Sequence, residues 1–241
     1  MTDKQIKIIH APDSQKPFLI IDKPAGLPSA PLNENDKENA FSQAAKLFPQ
    51  ILQVKGKKPV EGGLLHRLDT ATSGLMIIAA TQECYDFLQE EQKEGRIIKT
   101  YLAECAVPEP FEGQGNKSFT IQSYFRPYGP GRREVRPVTA DSNKAALDKV
   151  EKKVLYTTDI RIKSINKEKN TALVECKITN GYRHQVRCHL AWAGLPVIND
   201  LLYNPDSDKK STEAMHFCAC KIEFEYPRGD LNSYDRKDTW T

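Results

Sequence analysis

The pattern of apolar and polar positions marks out a strand-rich chain. Phe18-Leu19-Ile20-Ile21 and Leu75-Met76-Ile77-Ile78-Ala79-Ala80 are short unbroken apolar runs, as strands buried on both faces require. Ile160 to Ile165 alternates instead, and a turn rich in Asn and Lys over 166–170 joins it to Thr171–Ile178, so the two read as a hairpin. Further strands are expected over Arg96–Val107, closed by Pro108 and Pro110, over Phe119–Phe125, and over Phe217–Tyr226, stopped by Pro227. Phe41, Ala44, Ala45 and Phe48 recur at helical spacing behind Asn39, which can cap, and Pro49 ends the run. Cys84, Phe87 and Leu88 predict a helix over about 82–94 with Gly95 as its stop. A third helical block, His184 to Ala193, ends at Gly194. Residues 144–153 fit either a short helix or an alternating strand. Residues 126–143 hold Pro127, Gly129, Pro130, Gly131 and Pro137 and read as a long basic loop. No regular βαβ alternation is present. The expectation is therefore an α+β fold, a mixed and mostly antiparallel sheet core with a few packed helices. One domain is expected over 17–228, between a polar lead at 1–16 and a tail at 229–241.

Composition narrows the class. The chain has 241 residues, 39% hydrophobic and 28% charged, which excludes a chain disordered throughout. No run approaches the roughly 18 apolar residues that span a bilayer. The opening Met1-Thr2-Asp3-Lys4 lacks the features of a signal peptide, so a cytoplasmic location is expected. The net charge of +3 permits an RNA partner without demanding one. Its distribution says more. Lys55, Lys57, Lys58 and Arg67 are opposed only by Glu61, and Arg126, Arg132, Arg133 and Arg136 only by Glu134. Each cluster is either a solvated face or, beside aromatic residues, a surface for a nucleic-acid backbone. None of the six cysteines forms Cys-x-x-Cys, and His216-Phe217-Cys218-Ala219-Cys220 has no second ligand pair. No metal site is expected there, and Cys218 and Cys220 read as alternate residues of one strand face.

The candidate chemistry gathers at residues 62–80. Two glycines, Gly62 and Gly63, open this stretch. His66, Arg67 and Asp69 follow, and a turn over Thr70–Gly74 leads into the apolar strand. Asp69 thus sits on a loop just ahead of a rigid element. It either caps its own turn or carries chemistry, since an ionised carboxylate there can act as a nucleophile or stabilise a cationic sugar.

The same stretch resembles the signature of the RluA-type RNA pseudouridine synthases, in which His-Arg-Leu-Asp is followed by a Thr-Ser-Gly turn and an apolar strand. Here these are His66-Arg67-Leu68-Asp69 and Thr72-Ser73-Gly74. Lys99-Thr100-Tyr101 resembles the family's Lys-x-Tyr, and Gly181-Tyr182-Arg183-His184-Gln185-Val186-Arg187 its Gly-Arg-Thr-His-Gln-[Ile/Leu]-Arg, with Tyr182-Arg183 as the departure. Asp22-Lys23-Pro24-Ala25-Gly26 resembles a structural turn of the family. Asn199-Asp200-Leu201-Leu202-Tyr203 resembles its Gly-Asp-x-x-Tyr, with Asn199 in place of glycine. The likeness extends from about Phe18 to Pro227.

The resemblance implies isomerisation of uridine to pseudouridine in structured ribosomal or transfer RNA, with no metal, nucleotide or organic cofactor. It implies Asp69 as the catalytic nucleophile, Tyr101 packing on the uracil, and Arg187 holding the Asp69 carboxylate. It implies Arg67 filling the gap left by a flipped-out base, with His66 orienting the loop. Arg183 and His184 are expected RNA contacts, and the basic clusters add Arg132, Arg133 and Arg136. Most relatives begin with a small S4-type RNA-binding domain, which is not expected here, and the protein is expected to be a monomer. An RNA-binding protein that keeps the fold without catalysis is the alternative. A glycoside hydrolase would need two opposed carboxylates; only Asp69 is placed, and neither Glu61 nor Asp200 has comparable support as the second.

Overall fold

The computed structural model describes residues 4–107 and 117–236. In chain order the elements are β1 (Lys7–His10), β2 (Phe18–Lys23), α1 (Ala40–Leu47), β3 (Ser73–Ala79), α2 (Gln82–Lys93), β4 (Ile98–Ala106), β5 (Ser118–Tyr128), β6 (Glu134–Val138), α3 (Lys144–Leu147), β7 (Tyr156–Asn166), β8 (Thr171–Ile178), α4 (Gln185–Trp192), β9 (Phe217–Glu225) and β10 (Leu231–Asp235). The fold is α+β with mostly antiparallel pairing. The chain divides into two compact units, Met1–Lys99 with Cys218–Thr241, and Thr100–Phe217.

The first unit is built on the two apolar runs. β2 and β3 are buried at every position and pair antiparallel, with Ile20 opposite Ile77. β1 adds antiparallel to the outer edge of β2. β9 lies parallel to the start of β3 and carries β10 antiparallel on its other side. Helix α2 begins at a Thr81 cap, whose hydroxyl accepts from Cys84 N at 3.3 Å, satisfying a donor the helix cannot use itself. Its Cys84, Tyr85 and Leu88 pack with Phe18, Ile20, Leu75, Ile77, Ala79, Ile222 and Phe224 in one core. Helix α1 starts at Asn39, whose Oδ1 accepts from Ser42 N at 2.8 Å, and buries Ala40, Phe41, Ala44 and Ala45.

In the second unit the strand order is β4-β8-β7-β5-β6, with β7 antiparallel to both β8 and β5. Helix α4 is fixed on this sheet by a buried polar link. His189 bonds Ser123 Oγ through Nε2 at 2.9 Å and Thr158 Oγ1 through Nδ1 at 2.8 Å, and its ring stacks on Phe125 at 4.9 Å. Burial pushes this imidazole down to about 4, so it is neutral at physiological pH.

Two expectations are corrected and one that was open is resolved. The span 126–143 is not a loop: β5 runs on to Tyr128 and β6 returns antiparallel to it, with Phe125 opposite Pro137 and Pro127 opposite Val135. Pro137 fits because β6 is the last strand of its sheet, and Pro127 because it lies on β5 beyond the pairing with β7, which ends at Ser123; a missing N–H donor is tolerated at such an edge, and Val135 and Val138 are buried beneath. The lead contributes β1 and the tail β10, so both ends of the described chain belong to the first unit's sheet. Within the ambiguous 144–153 stretch, Asn143 caps a single helical turn, α3, by accepting from Ala146 N at 2.9 Å. Pro108 and Pro110 lie outside the described residues.

Candidate active site

The Asp69 loop is set by backbone contacts on both sides. Before it, residues 63–65 run antiparallel along β3, with Leu65 N donating to Ile77 O at 3.2 Å and Ala79 N to Gly63 O at 2.8 Å. The approach is close enough that a Cβ on Gly63 would stand 2.0 Å from Ala79 O. After it, Thr72 N closes the turn by donating to Asp69 O at 3.0 Å. Gly74 then enters β3 at φ 123°, and a Cβ there would stand 2.2 Å from Ala219 O on β9. Only glycine satisfies both the dihedral and the clearance. Asp69 itself is half-buried between exposed Thr70 and buried Leu68.

Its neighbours in the motif have separate tasks. His66 accepts from Ile77 N through Nε2 at 3.3 Å, which assigns the ring proton to Nδ1. Burial, then the charges of Lys99 and Lys57, hold it well below the usual imidazole range, so it is neutral. Arg67 is exposed and meets Glu61, Nη1 to Oε1 at 3.1 Å, an acid shared with Lys58 at 3.3 Å. Glu61 is buried, so the pair is half-buried, and Lys58 stays on this carboxylate when the exposed Arg67 turns to another partner. Lys23, expected within a structural turn, is fully buried, and its ammonium donates to the carbonyls of Leu27 and Pro24.

Tyr101 and Arg187 belong to the second unit. Tyr101 is buried and stacks face to face on Phe217, centroids 5.2 Å apart and planes 9° apart. Arg187 lies in the first turn of α4. It is buried, and it grips Asp200 with two bonds, Nε to Oδ2 at 2.8 Å and Nη2 to Oδ1 at 2.7 Å. Asp200 also accepts from Leu202 N and Tyr203 N. Burial alone would raise this carboxyl. The Arg187 fork and charge, with those two N–H groups, outweigh it and hold the carboxyl below the usual aspartate range. His184 does not cap α4 with its side chain. It sits at φ 56°, and its Nδ1 lies 3.0 Å from Tyr203 Oη, which accepts from Val135 N at 2.8 Å. Asn199 has φ 61°, which explains why glycine stands there in the family pattern and why asparagine can replace it.

The basic cluster falls on the β5–β6 hairpin. The Arg136 guanidinium lies 3.4 Å from the centroid of the Tyr128 ring and that of Arg126 5.0 Å. Arg183 donates to the carbonyls of Arg132 and Glu134 at 2.6 and 3.0 Å, tying the hairpin tip to the loop before α4. The side chains of Arg132 and Arg133 project into solvent, Arg132 within 3.7 Å of Glu151. The β5–β6 hairpin thus carries Arg126, Tyr128, Arg132, Arg133 and Arg136, with Arg183 bonded to its tip from the loop before α4. His184, Arg187, Asp200 and Tyr203 gather around the start of α4. Asp200 and Lys23 were passed over as functional residues in the sequence. The only signal for either was the family-like segment it sits in. Among the described residues no group of three or more His, Cys, Asp or Glu could hold a metal ion.

The family model for RNA pseudouridylate synthase matches residues 17–192. An uncharacterized RNA pseudouridine synthase of Mycoplasma pneumoniae is 30% identical over 210 residues, covering 87% of this chain and 60% of that protein. The uncharacterized RNA pseudouridine synthase YhcT of Bacillus subtilis is 29% identical over 219 residues, 88% of this chain and 63% of that one. The chain thus spans about three fifths of the length of the curated relatives it matches. The solved human RNA pseudouridylate synthase domain containing 1 shares the fold, with a TM-score of 0.70 at 20% identity over 99% of this chain and 85% of that one. The family match covers most of the chain, Asp69 and its glycine-bounded loop included, and the chain belongs to the RNA pseudouridylate synthase family.

Proposed function

We propose that the protein converts specific uridines of a structured RNA, ribosomal or transfer, to pseudouridine, with Asp69 as the nucleophile. The supporting observation is the Asp69 loop itself: a half-buried carboxylate on a turn fixed on both sides by backbone bonds, in the family-matched motif. The target base is flipped from its stack, and Arg67, released from Glu61, fills the space and offsets part of the few kcal/mol that flipping costs. Asp69 attacks the target nucleotide or assists cleavage of the N1–C1′ bond, the uracil turns, and a C5–C1′ bond forms. The C5 proton leaves and N1 gains one, so the reaction is a balanced isomerisation. Tyr101 gives the uracil a flat ring to pack on, and Arg187 is the third residue assigned to the reaction, from its family-like motif. Arg132, Arg133 and Arg136 bind the RNA backbone, with Arg183 and His184 alongside. Action as a cytoplasmic monomer belongs to the same reading.

The test is nucleoside analysis of unmodified ribosomal and transfer RNA after incubation with the protein. Pseudouridine in the digest supports the assignment. Unchanged RNA turns it toward a binding protein, and free uracil toward hydrolysis of the glycosidic bond.

A further inference from the structure

The turn after β2 reaches the backbone on both sides of Asp69. Lys23 ends β2 with 0% of its surface exposed. Its ammonium donates to Leu27 O at 2.7 Å and Pro24 O at 3.0 Å, which closes the turn on itself. The third bond, 3.3 Å to Thr70 O, crosses 47 residues of sequence to the residue after Asp69. Gly26 N donates to the same carbonyl at 2.7 Å. On the other side, buried Ser29 makes a reciprocal pair with the residue before Asp69: its hydroxyl donates to Leu68 O at 2.6 Å and accepts from Leu68 N at 3.0 Å.

A buried ammonium is costly unless its donors are met, and packing alone would be served as well by an apolar side chain. What lysine adds is three directed donors and a charge. Burial pushes that ammonium down to about 8 against the opposing pull of Asp69 and Asp22, and Asp22 is itself met by Arg236 at 2.8 Å.

We propose that Lys23 and Ser29 are positioning residues for Asp69, fixing the main chain at Thr70 and Leu68 so that the carboxylate is delivered without reorganisation. The proposal rests on Asp69 being the nucleophile. Misplacing a reacting group by about 1 Å costs on the order of 100-fold in rate, which sets the scale of the effect.

The experiment compares pseudouridine formation by wild type, Lys23→Met, Ser29→Ala and Ser29→Thr on unmodified transfer and ribosomal RNA, with circular dichroism to verify folding and filter binding for RNA affinity. Lys23→Met and Ser29→Ala are expected to lose about 10- to 100-fold in kcat, with KM and RNA affinity within about twofold of wild type. Ser29→Thr, which keeps the hydroxyl, is expected to recover most of the loss. Folded Lys23→Met or Ser29→Ala with kcat within about twofold of wild type overturns the proposal, as does a loss confined to KM. If Lys23→Met does not fold, Ser29→Ala decides by the same limits. Wild type that forms no pseudouridine on either RNA overturns the functional assignment and this proposal with it, whereas an active wild type with unaffected variants overturns this proposal alone.

Discussion

A guanidinium as deeply buried as that of Arg187 has to be met by an anion, and Asp200 meets it with both oxygens while backbone N–H groups satisfy what remains. Removing one member of such a pair leaves the other charged and unsolvated, which costs about 3–5 kcal/mol. Asp200→Ala is expected to destabilise the fold by that amount in a urea titration. The effect carries a pH signature. The folded pKa of Asp200 lies below its ordinary value of 3.8, so its contribution is fully present above that value and is lost as pH falls through the lower folded value. Wild type should therefore lose this increment below about pH 4, and Asp200→Ala should lack it. Asp69, Tyr101 and Arg187 each stood out in the sequence as candidates because a family-like motif surrounds them. Their partners were not. That Arg187 meets Asp200, that Tyr101 stacks on Phe217, and that Lys23 is buried at a strand end are facts of tertiary structure, and residue type does not encode them.

At the scale of elements, β2, β3, α1 and α2 could be read from the sequence. Two of them are unbroken apolar runs, and the helices begin at Asn39 and Thr81, residue types that cap. β6 was hidden because Pro137 and the Pro/Gly tip read as loop, and only its place at a sheet edge makes those residues compatible with a strand. β10 was hidden because its one buried residue is polar, Asn232, so no hydrophobic pattern reveals it. Two predictions belong here. Gly74→Ala places a methyl group against the Ala219 carbonyl in a backbone region that alanine avoids. It should cost more than about 1 kcal/mol, seen as a fall of at least about 2–4 °C in Tm. In the hairpin, Arg183 is bonded to main-chain carbonyls and not to the arginine side chains, so Arg132→Ala with Arg133→Ala should leave the hairpin intact. RNA binding should weaken, and the slope of log affinity against log salt should flatten by about 0.7–0.9 for each phosphate that is no longer neutralised. Unchanged binding across salt concentrations would remove this hairpin from the RNA interface.

At the scale of the whole molecule, the absence of βαβ alternation correctly indicated an α+β fold with mostly antiparallel strands. The division into two compact units was not legible. It follows from the C-terminal strands joining the N-terminal sheet, and no Gly- or Pro-rich linker or shift in composition marks the boundaries near residues 99 and 218. The proposed nucleophile lies in one unit and the proposed stacking tyrosine and arginine in the other. Whether Asp69 carries the reaction is therefore the central question. The most direct measurement is tritium release from RNA labelled at uridine C5, by wild type and by Asp69→Asn verified as folded. C5 must lose its hydrogen when it takes over the glycosidic bond, so wild type is expected to release tritium and Asp69→Asn none. Release by the folded Asp69→Asn protein at the wild-type rate would contradict the assignment of the nucleophile, and no release by wild type on either ribosomal or transfer RNA would contradict the activity itself.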